Sequence, residues 1–260
     1  MSKQHMSWFT DARFSVLFLV ILFRYLIIAF IAFLIFYLIK KKAWAYQKIQ
    51  SRFPAARDYV REIFYSFLTA LVFALIGYGL FMTPIRPYTQ LYTHLEDYGM
   101  TYFFVSVIIM MLVHDTYFYW THRLMHHPGI FPVFHKIHHL STNPSPWAAF
   151  AFHPLEAIIE AGIIVVIAFI MPMHPLALAL FLLIMMLYNV YGHLGFELYP
   201  KRFTKTSLGK WVNTSVNHNQ HHQFFKGNYG LYFLWWDRWM GTIRPDYDEN
   251  FEEVKGRLPH

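Results

Sequence analysis

Residues 14–39 read FSVLFLVILFRYLIIAFIAFLIFYLI, a run that is apolar apart from Arg24. At about 1.5 Å per residue, a helix of this length exceeds the roughly 20 residues that the hydrocarbon core of a bilayer requires. We therefore predict a spanning helix, in which Arg24 either extends to the interface or has a buried partner. Two further apolar runs, 63–82 and 100–120, predict two more spans.

A fourth apolar region, 157–190, is interrupted by the sequence MPMHP at 171–175. Each arm has about fifteen residues, which is short for a full crossing. Because the prolines break the helix, we predict a helical hairpin that enters and returns on the same side, with two tilted full spans as the alternative. The expected fold is an all-α integral membrane protein with three long transmembrane helices, this hairpin and a histidine-rich helical cap.

The charges of the connecting loops predict the orientation. Residues 40–62 contain seven Lys and Arg residues, whereas 83–98 contain Arg86 against two acidic residues. Because basic loops stay on the cytoplasmic side, we predict that the first loop and the histidine-rich segments face the cytoplasm. Residues 45–62, in which Arg alternates with aromatic and apolar residues, are expected to lie as a helix in the membrane interface.

Three regions follow from this pattern. Residues 1–99 form the N-terminal membrane helices with the cytoplasmic interfacial segment, residues 100–242 form the catalytic region, and residues 243–260 form a solvated polar tail.

The composition excludes several classes of chemistry. The chain has 260 residues, of which 56% are hydrophobic and none is cysteine, so disulfides, thiolate-bound metals and a cysteine nucleophile are all excluded. In so apolar a chain, the net charge of +7 favours contact with anionic lipid and no nucleic-acid partner. The 16 histidines are the unusual feature, and thirteen of them lie between His114 and His222.

Three histidine motifs have the spacing of metal ligands. They are H-x3-H at 122–126, H-x2-HH at 135–139 and H-x2-HH at 218–222. Residues four apart lie on one face of a helix, so each motif presents at least two imidazoles to one centre. Their eight imidazoles exceed the ligands that one zinc ion takes, which favours two cations, and imidazole suits iron, copper and zinc alike.

The motifs and their surroundings resemble the fatty acid hydroxylase/sterol desaturase superfamily over residues 100–242. The strings that carry the resemblance are HDTYFYWTHRLMH at 114–126, FHKIHH at 134–139, AFHPLE at 151–156, HNQHH at 218–222 and NYGLYFLWWDRWMGT at 228–242. The resemblance implies a membrane oxygenase that holds two iron ions and uses O2. It also implies a lipid substrate and two electrons from a separate electron-donor protein, which is a cytochrome, a ferredoxin or a reductase. Zinc is expected to replace iron in some purified samples.

The resemblance also implies a ligand set. The eight motif histidines are the implied ligands: His122, His126, His135, His138, His139, His218, His221 and His222. His193 is added as a ninth ligand. His153 is expected to be a ligand or to contact one, and His114 is a possible contact.

Metal-bound histidines generally donate their other ring N–H to a carboxylate or a carbonyl. Four carboxylates are therefore candidates for catalysis, chiefly by orienting imidazoles: Asp115, Glu156, Glu197 and Asp237. For Asp237, the alternative is an ion pair with Arg238. The substrate cavity is expected between the third span and the hairpin, with walls that include Phe150, Phe152, Tyr188 and Tyr191.

The expected function is hydroxylation or desaturation of a C–H bond in a lipid such as a sterol or a fatty acyl chain. Two alternatives remain open, a membrane zinc-dependent lipid hydrolase and a metal transporter or sensor. The sequence contains no H-E-x-x-H motif, which disfavours the hydrolase.

Overall fold

The computed structural model describes residues 11–258, which are helical apart from turns, loops and three isolated β-bridges. The five long helices are α1 (Ala12–Phe33, continued by a wider π-helical turn over Leu34–Ile39), α2 (Ala56–Phe81), α3 (Gly99–Met125), α5 (Pro154–Ile170) and α6 (Pro175–Gly192). The short helices are α4 (Phe131–Phe134), α7 (Ser215–Phe224), α8 (Trp235–Trp239) and α9 (Tyr247–Gly256). Single turns of 3-10 helix lie at Ala45–Gln47, Arg86–Tyr88, Leu95–Asp97, His138–Leu140, Pro146–Phe150, Phe203–Lys205 and Gly209–Trp211.

Within residues 11–258, four helices are long and apolar enough to cross a membrane: α1 with its extension, α2, α3 and α6. The first three contain most of the apolar runs predicted from the sequence, and the all-α class is confirmed for the described residues. The second arm of the hairpin, α6, has 18 residues and the length of a span, whereas α5 has 17. The count of three spans plus a hairpin that returns to the same side stays a prediction.

The hairpin breaks where the prolines predict it. Helix α5 ends at Ile170, and Pro175 takes the first position of α6, where a missing N–H costs nothing. The ring of His174 accepts a hydrogen bond from the backbone N–H of Leu176 at 3.2 Å and so caps α6. This loop also pairs with the connection between α2 and α3, because the N–H of Tyr92 donates to the carbonyl of Met173 at 3.1 Å.

Residues 45–62 do not form the predicted interfacial helix. One 3-10 turn and an extended stretch precede α2, and the N–H of Ile49 donates to the carbonyl of Gly195 at 3.0 Å. The side chain of Lys48 is buried, with its ammonium 5.3 Å from the ring centre of Phe53 and 5.5 Å from that of Phe196. This stretch therefore bonds to the loop after α6, and Lys48 and Ile49 are buried there.

The predicted solvated tail is also wrong for the described part of residues 243–260, whose last two residues lie outside the described range. Helix α9 buries Tyr247, Phe251 and Val254, which are spaced along one helical face. They pack in one cluster with residues of α7 and of the loop before α8. The polar composition of this segment reflects only the opposite, solvent-facing side of an amphipathic helix.

We expect Phe251→Ala to lower the free energy of unfolding by about 3 to 5 kcal/mol, because it removes a fully buried ring. Asp248→Ala, at an exposed position on the same helix, is the control and is expected to change stability by about 0.5 kcal/mol or less. Thermal unfolding of the purified protein in detergent measures both. Equal midpoints for the two variants would show that α9 contributes nothing to the fold.

Candidate metal centre

Nine buried or mostly buried imidazoles converge at one end of the helices. His122 and His126 lie in the last turn and at the C-terminal cap of α3, and His193 caps α6. His135, His138 and His139 lie in the irregular turns that follow α4, and His218, His221 and His222 lie on α7. Thr214 is the N-cap of α7, and its hydroxyl accepts a hydrogen bond from the N–H of Asn217 at 3.2 Å. Four separate parts of the chain thus meet at this centre.

The imidazoles form two groups, in each of which the candidate ligand atoms lie within 4.8 Å of one another. The five-histidine group consists of His122, His126, His135, His139 and His221. The four-histidine group consists of His138, His193, His218 and His222. The structure therefore brings together nine of the predicted ligands, which are the eight motif histidines and His193.

The spacing of the Nε2 atoms fits metal coordination. Neighbouring Nε2 atoms are 3.0–3.1 Å apart in the five-histidine group and 3.1–3.3 Å apart in the four-histidine group. With metal–nitrogen distances of about 2.1 Å, adjacent ligands are about 3.0 Å apart around an octahedral ion and about 3.4 Å apart around a tetrahedral one. The spacing in the five-histidine group is close to the octahedral value, so these five residues would fit one such cation.

The other ring nitrogens fix which atoms carry hydrogen. The Nδ1 atoms of four rings face backbone carbonyls at 2.8–3.0 Å: His122 to Tyr229, His193 to Asn189, His221 to Gly227 and His222 to Ser141. Since a carbonyl only accepts, each of these Nδ1 atoms carries the hydrogen and each Nε2 carries a lone pair. The lone pairs therefore point at one another, an arrangement that is repulsive unless a cation lies between them.

Electrostatics keeps these rings neutral. Burial, together with the surrounding imidazoles, holds the pKa of His135, His138, His139, His221 and His222 well below its usual range. His218 is affected in the same way. Neutral imidazole is the form that binds metal, so a cation does not have to displace protons from these groups at neutral pH.

His153 does not belong to either group of candidate ligands, so the structure does not bring it together with the nine. It precedes Pro154 and caps α5, since its Nδ1 accepts a hydrogen bond from the N–H of Leu155 at 3.3 Å. His114 also lies outside the groups, and its Nδ1 is 3.0 Å from the hydroxyl of Tyr232. In the FHPLE string, His153 is the N-cap of α5 and Pro154 is its first residue, so helix capping accounts for this pair without a metal.

One of the four predicted carboxylates orients a clustered ring. Glu156 Oε1 lies 2.6 Å from Nδ1 of His135, and both side chains are buried. Helix α5 positions this carboxylate in its first turn, directly below the turn that carries His135. Glu156 thus accepts the Nδ1 hydrogen of His135, as backbone carbonyls accept the Nδ1 hydrogens of His122, His193, His221 and His222.

The other three carboxylates hold loops and touch no clustered imidazole, so that expectation is wrong for them. Asp115 accepts from the N–H groups of Tyr232 and Phe233 and from Trp235 Nε1. These bonds attach the segment before α8 to α3. The partners of Asp115 are thus two backbone N–H groups and one indole N–H, and none is an imidazole.

Glu197 and Asp237 act on backbone as well. Glu197 accepts from the N–H of Val216 at 3.0 Å, in the first turn of α7. Asp237 accepts from the N–H groups of Tyr229 and Gly230 at 2.9 and 2.7 Å, and it forms no ion pair with Arg238. Asp237 therefore positions the residue whose carbonyl faces His122, and Glu197 positions the helix of the third motif.

Sequence reasoning missed a contribution from α2. Glu62 is buried and accepts hydrogen bonds from the hydroxyls of Ser141, at 2.7 Å, and Ser145. The carbonyl of Ser141 faces His222, so α2 supports the third motif through this loop. An acidic residue at the edge of the apolar run 63–82 was the available signal.

An elongated apolar cavity of about 270 Å³ adjoins the centre. Its lining includes Phe118 and Phe152, whose ring centres lie 4.9 Å from that of His122 and 5.0 Å from that of His138. Phe150 lines this cavity too, as expected from the sequence, whereas Tyr188 and Tyr191 line a separate, water-sized cavity beside His218. Apolar space thus reaches both histidine groups.

The comparisons with known proteins agree with the sequence resemblance. Residues 107–242, more than half of the chain, match the fatty acid hydroxylase family. A Delta(7)-sterol 5(6)-desaturase of Gibberella zeae is 31% identical over 198 residues, which cover 75% of this chain and 60% of that protein. Human lathosterol oxidase is 31% identical over 186 residues, which cover 71% of this chain and 60% of that protein. No solved structure matches.

This chain therefore belongs to the fatty acid hydroxylase family, and the resemblance to the fatty acid hydroxylase/sterol desaturase superfamily is confirmed. It spans about three fifths of the length of these curated relatives, 60% in both cases.

We expect Glu156→Gln to weaken metal binding by the five-histidine group by about 10- to 100-fold, because the amide cannot hold the ring of His135 as the carboxylate does. The measurement is the metal content of purified protein after dialysis against a series of chelator concentrations. Glu249→Gln, at an exposed position, is the control. A Glu156→Gln protein that retains metal as the control does would contradict the orienting role.

Proposed function

We propose that this protein is a membrane-bound oxygenase that holds two iron ions and hydroxylates or desaturates a C–H bond of a lipid. The observation that carries the proposal is the convergence of nine Nε2 atoms in two groups, each with the spacing of ligands around one cation. The names of the relatives, a sterol desaturase and a sterol oxidase, support an oxidative reaction on an apolar substrate.

Oxidation chemistry distinguishes the metals. Zinc has no redox chemistry, whereas iron changes its oxidation state and accepts imidazole ligands. When bound, a pair of iron ions supplies the electron transfers by which O2 is activated. The five-histidine and four-histidine groups would hold one ion each.

The reaction requires an external reductant. Hydroxylation places one oxygen atom of O2 in a C–H bond and releases the other as water, with two electrons and two protons consumed. Desaturation removes two hydrogen atoms from neighbouring carbons and, with the same two electrons and two protons, releases both oxygen atoms as water. We propose that a separate cytochrome, ferredoxin or reductase supplies the electrons.

The protein's own residues supply rigidity, exclusion of water and orientation. Backbone carbonyls and Glu156 fix the direction of five of the nine imidazoles, those of His122, His135, His193, His221 and His222, so this part of the site is ordered before a substrate arrives. Phe118 and Phe152 cover the histidines on the cavity side and keep bulk water away. The basic connection 40–62 packs at the histidine end, which supports a cytoplasmic location for the site.

The hydrolase alternative is weaker for a structural reason. Metal-assisted hydrolysis needs a carboxylate base on the open side of the metal. Among the described carboxylates, Glu156 is the one that bonds to a clustered imidazole, and it lies behind the ring at Nδ1. It therefore cannot reach a water held at the Nε2 side. Glu160, a carboxylate that lines the adjoining cavity, lies one helical turn, about 6 Å, farther along α5.

We expect membranes that express the wild-type chain to contain an oxidised lipid that is absent with His138→Ala, because this change removes one of four nitrogens from its group. The purified wild-type protein should contain about two irons per chain and consume O2 when a reductant and the lipid extract are added. Lipid profiling, metal analysis and an oxygen electrode measure these outcomes.

The matched control is His174→Ala, which changes a histidine at the opposite end of the hairpin. This variant should keep both the product and the iron. Zinc in the wild-type site under iron-replete conditions, with hydrolysed lipid as the product and no O2 uptake, would support the hydrolase and overturn the proposal.

A further inference from the structure

Helix α8 packs against α3 below the level of the histidines. Asp115 of α3 accepts a hydrogen bond from Trp235 Nε1 at 2.7 Å, and Thr116 accepts one from Trp236 Nε1 at 3.2 Å. Both α3 residues belong to the last turns of the apolar run 100–120, about 15 Å before the end of the helix. Because α3 has the length and composition of a span, α8 lies where the hydrocarbon core of a membrane meets its headgroups.

The stretch before α7 reaches the same level, because it pairs with the stretch before α8. The N–H of Leu234 donates to the carbonyl of Trp211 at 2.8 Å. The N–H of Asn213 donates to the carbonyl of Tyr232 at 2.9 Å. Tyr188, about one turn before the end of α6, donates to the carbonyl of Asn213 at 2.6 Å. Two helices with the length of a span, α3 and α6, thus hold both stretches in the interfacial region.

A groove of about 350 Å³ opens between these two stretches, and we call it the aromatic groove. Its lining residues are all apolar or aromatic: Leu208, Trp211, Val212, Phe233, Trp235 and Trp239. Leu208 is 70% exposed and Trp239 is 65% exposed. Tryptophan is enriched where a membrane meets water, because its ring is apolar and its N–H is polar. The aromatic groove therefore has the composition of a surface that contacts lipid.

Two cationic side chains lie at the rim of the aromatic groove. Nζ of Lys210 is 5.4 Å from the ring centre of Trp211, and Cζ of Arg238 is 5.9 Å from the same ring centre. Nε of Arg238 donates to the carbonyl of Lys210 at 2.6 Å. The two terminal nitrogens of Arg238 form no hydrogen bond or ion pair within residues 11–258. Both charged ends are thus placed at one lining residue and can bind an anion.

Within residues 11–258, no carboxylate pairs with either cation. Residues 201–213 contain four basic residues and no acidic one. The two carboxylates that bond to the stretch before α8, Asp115 and Asp237, are buried, and each accepts three hydrogen bonds. The exposed charge that residues 201–213 contribute beside the groove is therefore positive and complements an anion.

We propose that the aromatic groove binds one anionic phospholipid from the leaflet at the histidine end. An acyl chain of this lipid lies in the groove between Trp211 and Trp239, and its phosphate lies at Lys210 and Arg238. The site is separate from the cavity beside the histidines, since the two share no lining residue. The lipid is a structural ligand, so the inference goes beyond the proposed function and needs neither a metal nor a substrate.

The choice of an anionic phospholipid follows from the groove and the cations together. An uncharged apolar ligand would fill the groove and leave both cations without a partner, whereas a free phosphate would leave the groove unfilled. A zwitterionic phospholipid carries an ammonium group of its own, which the two cations repel. Each Lys or Arg near an anionic lipid surface strengthens binding by about fivefold, so a net negative headgroup is favoured.

Occupancy of the groove bears on the metal centre through the backbone. Asp237 of α8 accepts from the N–H of Tyr229, whose carbonyl faces His122. On the other side of the groove, the stretch 208–213 leads directly into Thr214, the N-cap of the helix that carries the third motif. A lipid that holds α8 against this stretch therefore restrains two segments that position histidines.

The test is quenching of tryptophan fluorescence in the purified full-length protein by phosphatidylglycerol and phosphatidylcholine with the same brominated acyl chains. In a neutral detergent, phosphatidylglycerol should quench at a concentration at least about fivefold lower than phosphatidylcholine, because it alone has a net negative charge. Lys210→Met should weaken phosphatidylglycerol binding by about fivefold and leave phosphatidylcholine binding unchanged. Added salt should reduce the preference of the wild-type protein, since Lys210 is exposed.

Arg86→Met, at an exposed position in the loop between α2 and α3, removes one positive charge away from the groove and is the control. Arg238→Lys keeps the charge and should keep most of the preference, whereas Arg238→Met should lose it. Thermal unfolding of the lipid-free variants identifies any that fails to fold, and Lys210→Gln replaces Lys210→Met in that case. Trp239→Phe should remove part of the saturable quenching, because it removes a lining indole.

Equal affinity of the wild-type protein for the two phospholipids would overturn the proposal, and so would a folded Lys210→Met protein with an unchanged preference. Wild-type dimers that Trp239→Ala separates into monomers, without any lipid preference, would assign the groove to a second copy of the chain and overturn it as well. These measurements involve no O2 and no product, so they stand or fail independently of the oxygenase.

Discussion

The rest of the structure depends on the close approach of nine Nε2 atoms, most of which carry lone pairs that repel one another. Nine neutral rings cannot satisfy one another by hydrogen bonding, because most of their hydrogens are committed to Nδ1. A cation in each group would remove this repulsion, and binding it requires rings that are held against rotation, as five of the nine are. The carbonyls of loops and helix ends provide that restraint, so the loops are as much a part of the site as the motifs.

The N-terminal helices, which have the composition of generic spans, support the centre from outside the region that defines the family. Glu62 of α2 bonds to the loop that contains Ser141, and the hydroxyl of Tyr25 donates to the carbonyl of Trp147 at 2.8 Å. Tyr37, in the extension of α1, donates to the carbonyl of Leu194 at 2.9 Å. These three bonds join α1 and α2 to the segments that carry His138, His139 and His193.

The sequence predicted what is local and periodic. The spacing of four residues identified the pairs His122 with His126 and His218 with His222, and the prolines located the break in the hairpin. It could not identify contacts between distant segments, such as the carbonyl of Tyr229 behind His122 or the surface that buries α9. A residue's type does not reveal whether its partner is a ring or a backbone N–H, which explains the misassignment of Asp115, Glu197 and Asp237.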